Sequence, residues 1–512
     1  MKLALSSQIK TIDSYAINTL GIPAEELMGR SGKAIAKAVR EYVSDGKNIL
    51  ILAGKGNNGG DGYAAACLLQ NEYFVKIIDL FSAGQKTAEG KHYLEKYLSQ
   101  GGKIISGDDR EDINASIESA DVIIDAIFGT GFLGSPPQSL APIANAVNSS
   151  PAVKIAADVP LGINADDGSV NSIFIEADAT VALSYMKPGL LSYPAKDFCG
   201  KIIHDTIGLP EEKIEKAIPF TNYLFDFQEA KAALPERAEN TSKGSFGKLL
   251  LITGSREYPG AGLLALESAL RGGAGLVAYL GEPSLSDELT MKYPEAIYHR
   301  ESLSDTVKAG GVSRICDITK NYSAILIGSG SSPSPELYTL TKELITSEGA
   351  PLVLDADAIN SIAAYGPEGR AIFRRARRPV VLTPHPLEFA RLSGMNVTDV
   401  QANRLAVARK FAYEHGVVLL LKGAATVVTD GKSVYLNGTG SSALAKAGSG
   451  DVLAGLLVSV LASGTDPLSA TALAAYLHGA AGDSLAVSYS EYGVTPSDLP
   501  REIAGVLSKL ER

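Results

Sequence analysis

The chain is short of every feature that marks a secreted, membrane or nucleic-acid-binding protein. Its three cysteines, Cys67, Cys199 and Cys316, lie far apart, form no Cys-x-x-Cys pair and cannot all pair within one chain, which excludes a disulfide scaffold and points to a reducing cytosol. Positive charge is not in excess: 47 basic against 57 acidic side chains leave a formal charge of -10, so a nucleic-acid surface is not expected and anionic ligands must be held locally by amides and single cations. The longest apolar run, residues 452–462, is too short and too interrupted by Gly and Ser to span a bilayer. Residues 1–8 lack the apolar core of a secretory signal and read as the run-up to a helix. Low-complexity tracts are missing as well. The expectation is a cytoplasmic protein with small-molecule ligands, no nucleic acid and no membrane.

What the chain does have is length and alternation. Its 512 residues exceed what one hydrophobic core usually organises. From residue 48 to about 207, short β-branched runs alternate with amphipathic segments, the signature of βαβ units and a parallel sheet. Strands are expected at 48–53, 74–79, 121–126, 153–158 and 179–184, with helices such as 61–70 and 85–100 between them. Residues 208–243, with Pro210, Pro219 and Pro235 amid many charges, read as a linker. A second α/β series follows, with strands expected at 248–253, 275–280, 324–328, 351–356, 379–383 and 417–422. The division falls near residue 220, giving domains 1–218 and 219–512. The two halves share no obvious motif, so they read as different α/β domains fused together, and a homo-oligomer is expected.

In the first half, strand 48–53 runs into Gly54-Lys55-Gly56-Asn57-Asn58-Gly59-Gly60-Asp61-Gly62, and Asp79 ends the next strand. That spacing suits a dinucleotide fingerprint, in which glycines admit a pyrophosphate and an acid binds a ribose. The polar cluster Asn57, Asn58 and Asp61 departs from the usual apolar helix start and suggests contacts beyond phosphate. Asp125 precedes the loop Phe128-Gly129-Thr130-Gly131-Phe132-Leu133-Gly134-Ser135, and Asp158 precedes Val159-Pro160-Leu161-Gly162. All three segments belong on one edge of the sheet, offering hard oxygens to a cation and a backbone loop to an anion. Each acid taken singly could instead cap a helix.

In the second half, Ala447-Gly448-Ser449-Gly450-Asp451 opens an apolar helix. Amides around Ser449 and Gly450, together with the positive helix end, suit a phosphate, and Asp451 beside them can take a proton from a substrate hydroxyl. The plainer reading is a glycine-rich helix cap. Strand 417–422 leads into Lys422-Gly423-Ala424-Ala425-Thr426, a cation, a glycine and a hydroxyl that suit nucleotide phosphates or, alternatively, a tight hairpin. His385 stands between two prolines at another strand end, followed by Pro386-Leu387-Glu388-Phe389-Ala390-Arg391, and Asp357 and Asn360 follow a third.

The run 56–62, with Asp125-Ala126-Ile127-Phe128-Gly129-Thr130-Gly131, Asp158-Val159-Pro160 and Lys187-Pro188-Gly189, resembles the NAD(P)H-hydrate epimerases over about residues 1–215. The resemblance implies a Rossmann-like doubly wound sheet in which Asn57, Asn58, Gly59, Gly60, Asp61, Gly129 through Thr130, Gly131, Phe132, Leu133 and Gly134 to Ser135, and Asp158 surround the damaged nucleotide. Asn58 and Asp125 would help hold a potassium ion. Where that family usually carries Ser or Thr, this chain has Leu161, leaving only its backbone carbonyl as an ion ligand. Gly244-Ser245-Phe246-Gly247-Lys248, Gly254-Ser255-Arg256 and the elements above resemble the ADP- or ATP-dependent NAD(P)H-hydrate dehydratases, which are ribokinase-like α/β proteins, over about residues 225–510. By that resemblance Lys422, Gly423, Ala424, Ala425 and Thr426, with Ser441, Ser442, Ala443, Leu444, Ala445, Lys446, Ala447, Gly448, Ser449 and Gly450, bind adenine nucleotide with Mg²⁺. Gly330, His385 to Arg391 and Asp451 would face the hydrated nicotinamide.

The chemistry expected is therefore epimerisation of NAD(P)H-hydrate, with Asp158 handling the proton, and nucleotide-dependent dehydration with Asp451 as base. The competing expectation is a ribokinase-like small-molecule kinase fused to a nucleotide-binding sensor domain.

Overall fold

The computed structural model describes residues 1–81, 86–107, 109–132 and 134–511. The chain divides into two compact units, one spanning Lys2–Asn222 and the other beginning at Tyr223. In the first, seven parallel strands lie in the order Lys103–Ser106, Phe74–Asp79, Asn48–Ala53, Val122–Ala126, Val153–Ala157, Ala179–Leu183, Lys201–Asp205. Chain order reverses between Asn48–Ala53 and Val122–Ala126, so the loops after these strands diverge and leave a crevice at their carboxyl ends. Alternation along the strands sets the two faces: Leu50, Leu52, Ile78 and Ile123 point into one layer with Ile113, Ile117, Val147 and Ile175. This is the doubly wound Rossmann-like sheet.

In the second unit the parallel strands run Val418–Leu421, Val380–Leu382, Leu352–Leu354, Ala324–Ile327, Lys248–Ile252, Leu276–Gly281, Ile297–Arg300, and an antiparallel meander, Val427–Thr429 and Val434–Asn437, extends the first of them. Leu249, Leu251, Val277, Leu326, Val353, Val381 and Leu420 form one face, packed against Val452, Leu456, Leu457 and Leu473. Helix Ser449–Ala462 is almost wholly buried, which is why it reads as a continuous apolar run. Among the described residues no helix is long and apolar enough to cross a membrane.

Several expectations change. The segment 208–243 is not a linker: it holds helix Glu211–Ala217, strand Asn222–Phe225 and helix Phe227–Ala233, the last capped by Asp226, whose carboxylate accepts from the amides of Gln228 and Glu229. Pro210, one of the prolines that suggested a break, instead stands directly before the first of these helices. The helix expected at 61–70 begins four residues earlier, at Asn57. Its glycines are there for close packing, since a Cβ on Gly59 would lie 1.9 Å from the Gly54 carbonyl oxygen and one on Gly62 2.8 Å from the Ala126 side chain. The helix expected at 85–100 runs over Ala88–Ser99, and Gln85 lies outside the described residues. Edge strands Lys103–Ser106 and Ile297–Arg300 are half exposed and short, so they carry little of the apolar signal that marks central strands.

Gly455 lets helix Ser449–Ala462 lie against helix Pro259–Arg271, because a Cβ there would stand 2.2 Å from the Ala265 carbonyl oxygen. Gly455→Ala is expected to destabilise the second unit by about 1–3 kcal/mol, despite alanine's better helix propensity. The urea midpoint of that unit's transition checks this, and an unchanged or higher midpoint contradicts the packing account.

Candidate active sites

At the crevice of the first unit lies a cavity of about 490 Å³. Its walls come from the turn after strand Asn48–Ala53 (Lys55 to Asn58, Asp61), the loop Ile127 to Phe132, Asp158, Lys187 and the helix Ser6–Asn18. Asp158 sits where strand Val153–Ala157 ends, with a positive φ of 65° unusual for a non-glycine residue. Its carboxylate accepts the Thr130 amide at 2.9 Å, the Thr130 hydroxyl and the ammonium of Lys187. Lys187 is fully buried and also donates to the Leu183 carbonyl at 2.6 Å. Burial pushes Asp158 up, but the Lys187 charge and the three hydrogen bonds outweigh it and hold the carboxyl below its ordinary range. Asp61 and Asp13, facing the same space without such a cation of their own, go the other way: burial, then Asp158, drive Asp61 well up and Asp13 to about 6.

The expected ion ligands occupy the strand ends beside this cavity. Asp125 is 1 % exposed and accepts the amides of Ile127 at 3.1 Å and Leu161 at 2.6 Å, and burial lifts it to about 6. Asn58 is buried with both amide atoms lacking a protein partner, its oxygen lying beside Gly129. A carboxylate without a neighbouring cation and an orphaned amide oxygen fit a monovalent cation. Leu161 has its side chain in the apolar core, and its carbonyl already accepts the Ile175 amide at 3.1 Å.

In the second unit Lys422 directly follows strand Val418–Leu421 and pairs with Asp355 at 2.7 Å. Asp355 is buried and also accepts Thr383 at 2.7 Å and Ser329 at 2.8 Å. Burial would lower the Lys422 ammonium, yet Asp355, Glu388 and Asp451 keep it above its usual value. A Cβ on Gly450 would come within 3.1 Å of this ammonium, so the glycine leaves the cation open toward the loop. Gly448 is left-handed, with φ 98°, and starts helix Ser449–Ala462. The Ser449 amide donates to the Lys446 carbonyl at 3.2 Å, and its hydroxyl meets His478 Nε2 at 3.1 Å. The amides of Gly450 and Asp451 have no backbone acceptor among the described residues, so these, rather than that of Ser449, are left free to donate. Asp451, in the first turn, accepts no hydrogen bond among the described residues, and burial followed by the charge of Asp355 raises it to about 7. His478, buried beneath the turn, is pushed to about 4 by burial and stays neutral.

The expected residues separate by position. Asn57, Asn58, Asp61, Gly129 to Phe132 and Asp158 line the first cavity, whereas Gly59, Gly60, Gly134 and Ser135 are not among its walls and Leu133 lies outside the described residues. Asp79, expected as a ribose ligand, does not line it either and pairs with Lys86 at 2.7 Å. In the second unit, Phe389 and Ala390 point into the interior, where a helix of period 3.6 must bury one face. His385 caps that helix: its Nδ1 accepts the amides of Leu387 at 3.1 Å and Glu388 at 3.2 Å, and burial, then the Lys422 charge, lowers its pKa. Ala443 belongs to the core, and Lys446 is engaged with the carbonyls of Tyr492 and Val494. Gly330, left-handed at φ 62°, packs on Ala261 and Tyr258. Sequence reasoning gave no role to Asp13, Lys187, Asp355, His478 or Arg404. Arg404 is buried and holds the Lys422 turn by donating to the carbonyls of Leu421 and Lys422 at 3.0 and 3.1 Å.

Fold and sites define a class: a two-unit α/β enzyme, with a crevice at the carboxyl edge of one sheet and, in the other unit, a half-buried carboxylate in the first turn of a helix beside a buried lysine. Residues 249–504 match the family described as NAD(P)H-hydrate dehydratase, and residues 24–189 the one described as YjeF-related protein N-terminus. The chain is 35% identical to the bifunctional NAD(P)H-hydrate repair enzyme of Moorella thermoacetica, covering 100% of this chain and 97% of the relative. It is 31% identical to that of Escherichia coli over 96% of this chain and 92% of the relative. A crystal structure of the ADP/ATP-dependent NAD(P)H-hydrate dehydratase from Bacillus subtilis, co-crystallised with ATP/Mg²⁺, is 30% identical and covers 56% of this chain and 98% of that one, with a TM-score of 0.49. The chain belongs to the family of bifunctional NAD(P)H-hydrate repair enzymes.

Because the folded-state pKa of Asp451 lies above its ordinary value, this group favours the fold below about pH 4 and loses that contribution as pH rises through about 7. Asp451→Asn, in ligand-free protein, is expected to be more stable than the parent by at least ~1 kcal/mol at pH 8, the difference growing between about pH 4 and 7 and then levelling. Thermal midpoints across pH test the sign, and a variant that is less stable at pH 8 refutes it.

Proposed function

We propose that the chain restores hydrated NAD(P)H in two steps. The unit Lys2–Asn222 interconverts the two epimers at the hydrated carbon, and the unit beginning at Tyr223 dehydrates one of them at the expense of ADP or ATP. The observation that carries this reading is Asp451: a half-buried carboxylate with no hydrogen-bond donor among the described residues, its pKa raised to about 7, beside Lys422 in the first turn of the helix.

Hydration of a reduced nicotinamide leaves a hydroxyl beside the ring nitrogen, and hydroxide leaves poorly. Asp451 takes the hydroxyl proton as the oxygen attacks the terminal phosphoryl group, whose charge the Gly450 and Asp451 amides and Lys422 offset. The nitrogen lone pair then expels phosphate, and loss of a proton from the adjacent carbon restores the dihydropyridine. Mg²⁺ would arrive with the nucleotide and offset the charge of its phosphates. Such a pocket is chiral and dehydrates one epimer, so the other accumulates unless it is interconverted. In the first unit, Asn58 and Asp125 would hold a potassium ion that fixes the loop Ile127 to Phe132.

Mixed hydrate epimers incubated with protein and nucleotide should regain their full reduced-nicotinamide absorbance, and none should return without nucleotide. Asp451→Asn should slow nucleotide-dependent recovery by ~10²–10⁴-fold while epimer exchange persists. Accumulation of a stable phosphorylated product would instead identify a small-molecule kinase. Replacing potassium salts by tetramethylammonium salts should slow epimer exchange and leave dehydration of the accepted epimer unchanged, as read by separating the epimers chromatographically.

A further inference from the structure

We infer that Asp13, on the helix Ser6–Asn18, is the carboxylate that exchanges the substrate hydroxyl proton during epimer interconversion, with Asp158 serving as a fixed anion rather than the base. The inference rests on the epimerase reading of the first cavity. Asp13 lines that cavity opposite Asp61, Asp158 and Lys187, yet its helix precedes the segment 24–189 that the family model matches.

Of the three cavity carboxylates, Asp158 has its oxygens committed to Lys187 and to Thr130, and Asp61 is bonded to Ser31. Asp13 takes part in no hydrogen bond or ion pair among the described residues, so of the three it is the carboxylate that no protein donor engages. The helix that carries it is firmly seated. Ile12 and Ala16 are fully buried on its inner side, and Ser6 at its start donates its amide at 2.6 Å and its hydroxyl at 2.8 Å to Asp166. The charged groups around the same space are Asp61, Asp158 and Lys187, with Lys10 and Lys55 in the walls. Burial, then the Asp158 charge, places Asp13 at about 6, where a base works well near neutral pH, while Asp158 is held low and is a poor one.

The step balances without any co-reactant. Asp13 accepts the hydroxyl proton, the oxygen electron pair forms a carbonyl, and the carbon–nitrogen bond breaks with its pair delocalised from the ring nitrogen into the conjugated carboxamide. The carbonyl turns, the nitrogen attacks its other face, and Asp13 returns the proton to the oxygen. Lys187 keeps Asp158 ionised, so the cavity retains one fixed negative charge throughout.

The test measures epimer exchange, by chromatographic separation, in the full-length protein. Absence of exchange in the unmutated protein would overturn the epimerase reading itself, whatever Asp13 does. Given exchange there, Asp13→Asn is expected to lose at least ~10²-fold in rate while dehydration of the accepted epimer stays unchanged and the thermal midpoint at neutral pH does not fall. A variant keeping a third or more of the rate overturns the inference. If the variant does not fold, the unmutated protein still decides: kcat/KM for exchange should rise through a limb near pH 6, and a profile flat from pH 5 to 8 overturns the assignment.

Discussion

Beneath the helix start of the second unit, the ammonium of Lys422 is bound to Asp355 at 2.7 Å, and in the first unit the fully buried Lys187 is bound to Asp158. A buried ammonium without a partner would cost several kcal/mol, and so would the strand-end carboxylate it meets. Each pair therefore has to form for its unit to close. Only one carboxylate per lysine is neutralised in this way, and the acids left over have to bear the desolvation of the cavity. Asp451, Asp13 and Asp61 are among those acids. Their raised pKa values follow first from burial and then from the charge of the paired anion, Asp355 or Asp158, in the same space.

The second constraint is steric. Glycines at these strand ends were expected to admit a ligand, and at Gly129 and Gly450 a side chain would indeed press on the functional groups, Asp158 and Asn58 in one case and Lys422 in the other. Elsewhere the same residue type serves the scaffold. Gly59 and Gly62 let a helix settle onto the strand that precedes it, and Gly455 lets two helices touch. The cavities depend on both uses, because a helix standing even one methyl group further out would move Asn58 and Asp61 away from Asp158.

The parallel strands of both sheets were legible from their β-branched runs, since strands buried on both faces are apolar throughout. Half-exposed edge strands such as Lys103–Ser106 were not, and neither were the elements inside 208–243, where prolines that start helices look the same in sequence as prolines that end them. Of the site, the glycine loops and strand-end acids could be read because their spacing is local. Asp13 could not: it is one acid on an amphipathic helix, and only the cavity distinguishes it from a solvated side chain. Arg404 and His478 were hidden for a related reason, as each acts on a turn distant in the chain.

The order of β-branched runs, the glycine turns and the acid after each strand are enough to dictate two α/β units whose loops gather at the carboxyl edges of their sheets. Those features are local in sequence and follow from steric and hydrogen-bonding rules that act over a few residues. Which acids are neutralised, which stay protonatable and which face solvent was decided only by tertiary structure. Charge and desolvation act through space: Asp355 raises the pKa of Lys422, and Asp158 that of Asp13, across residues distant in the chain.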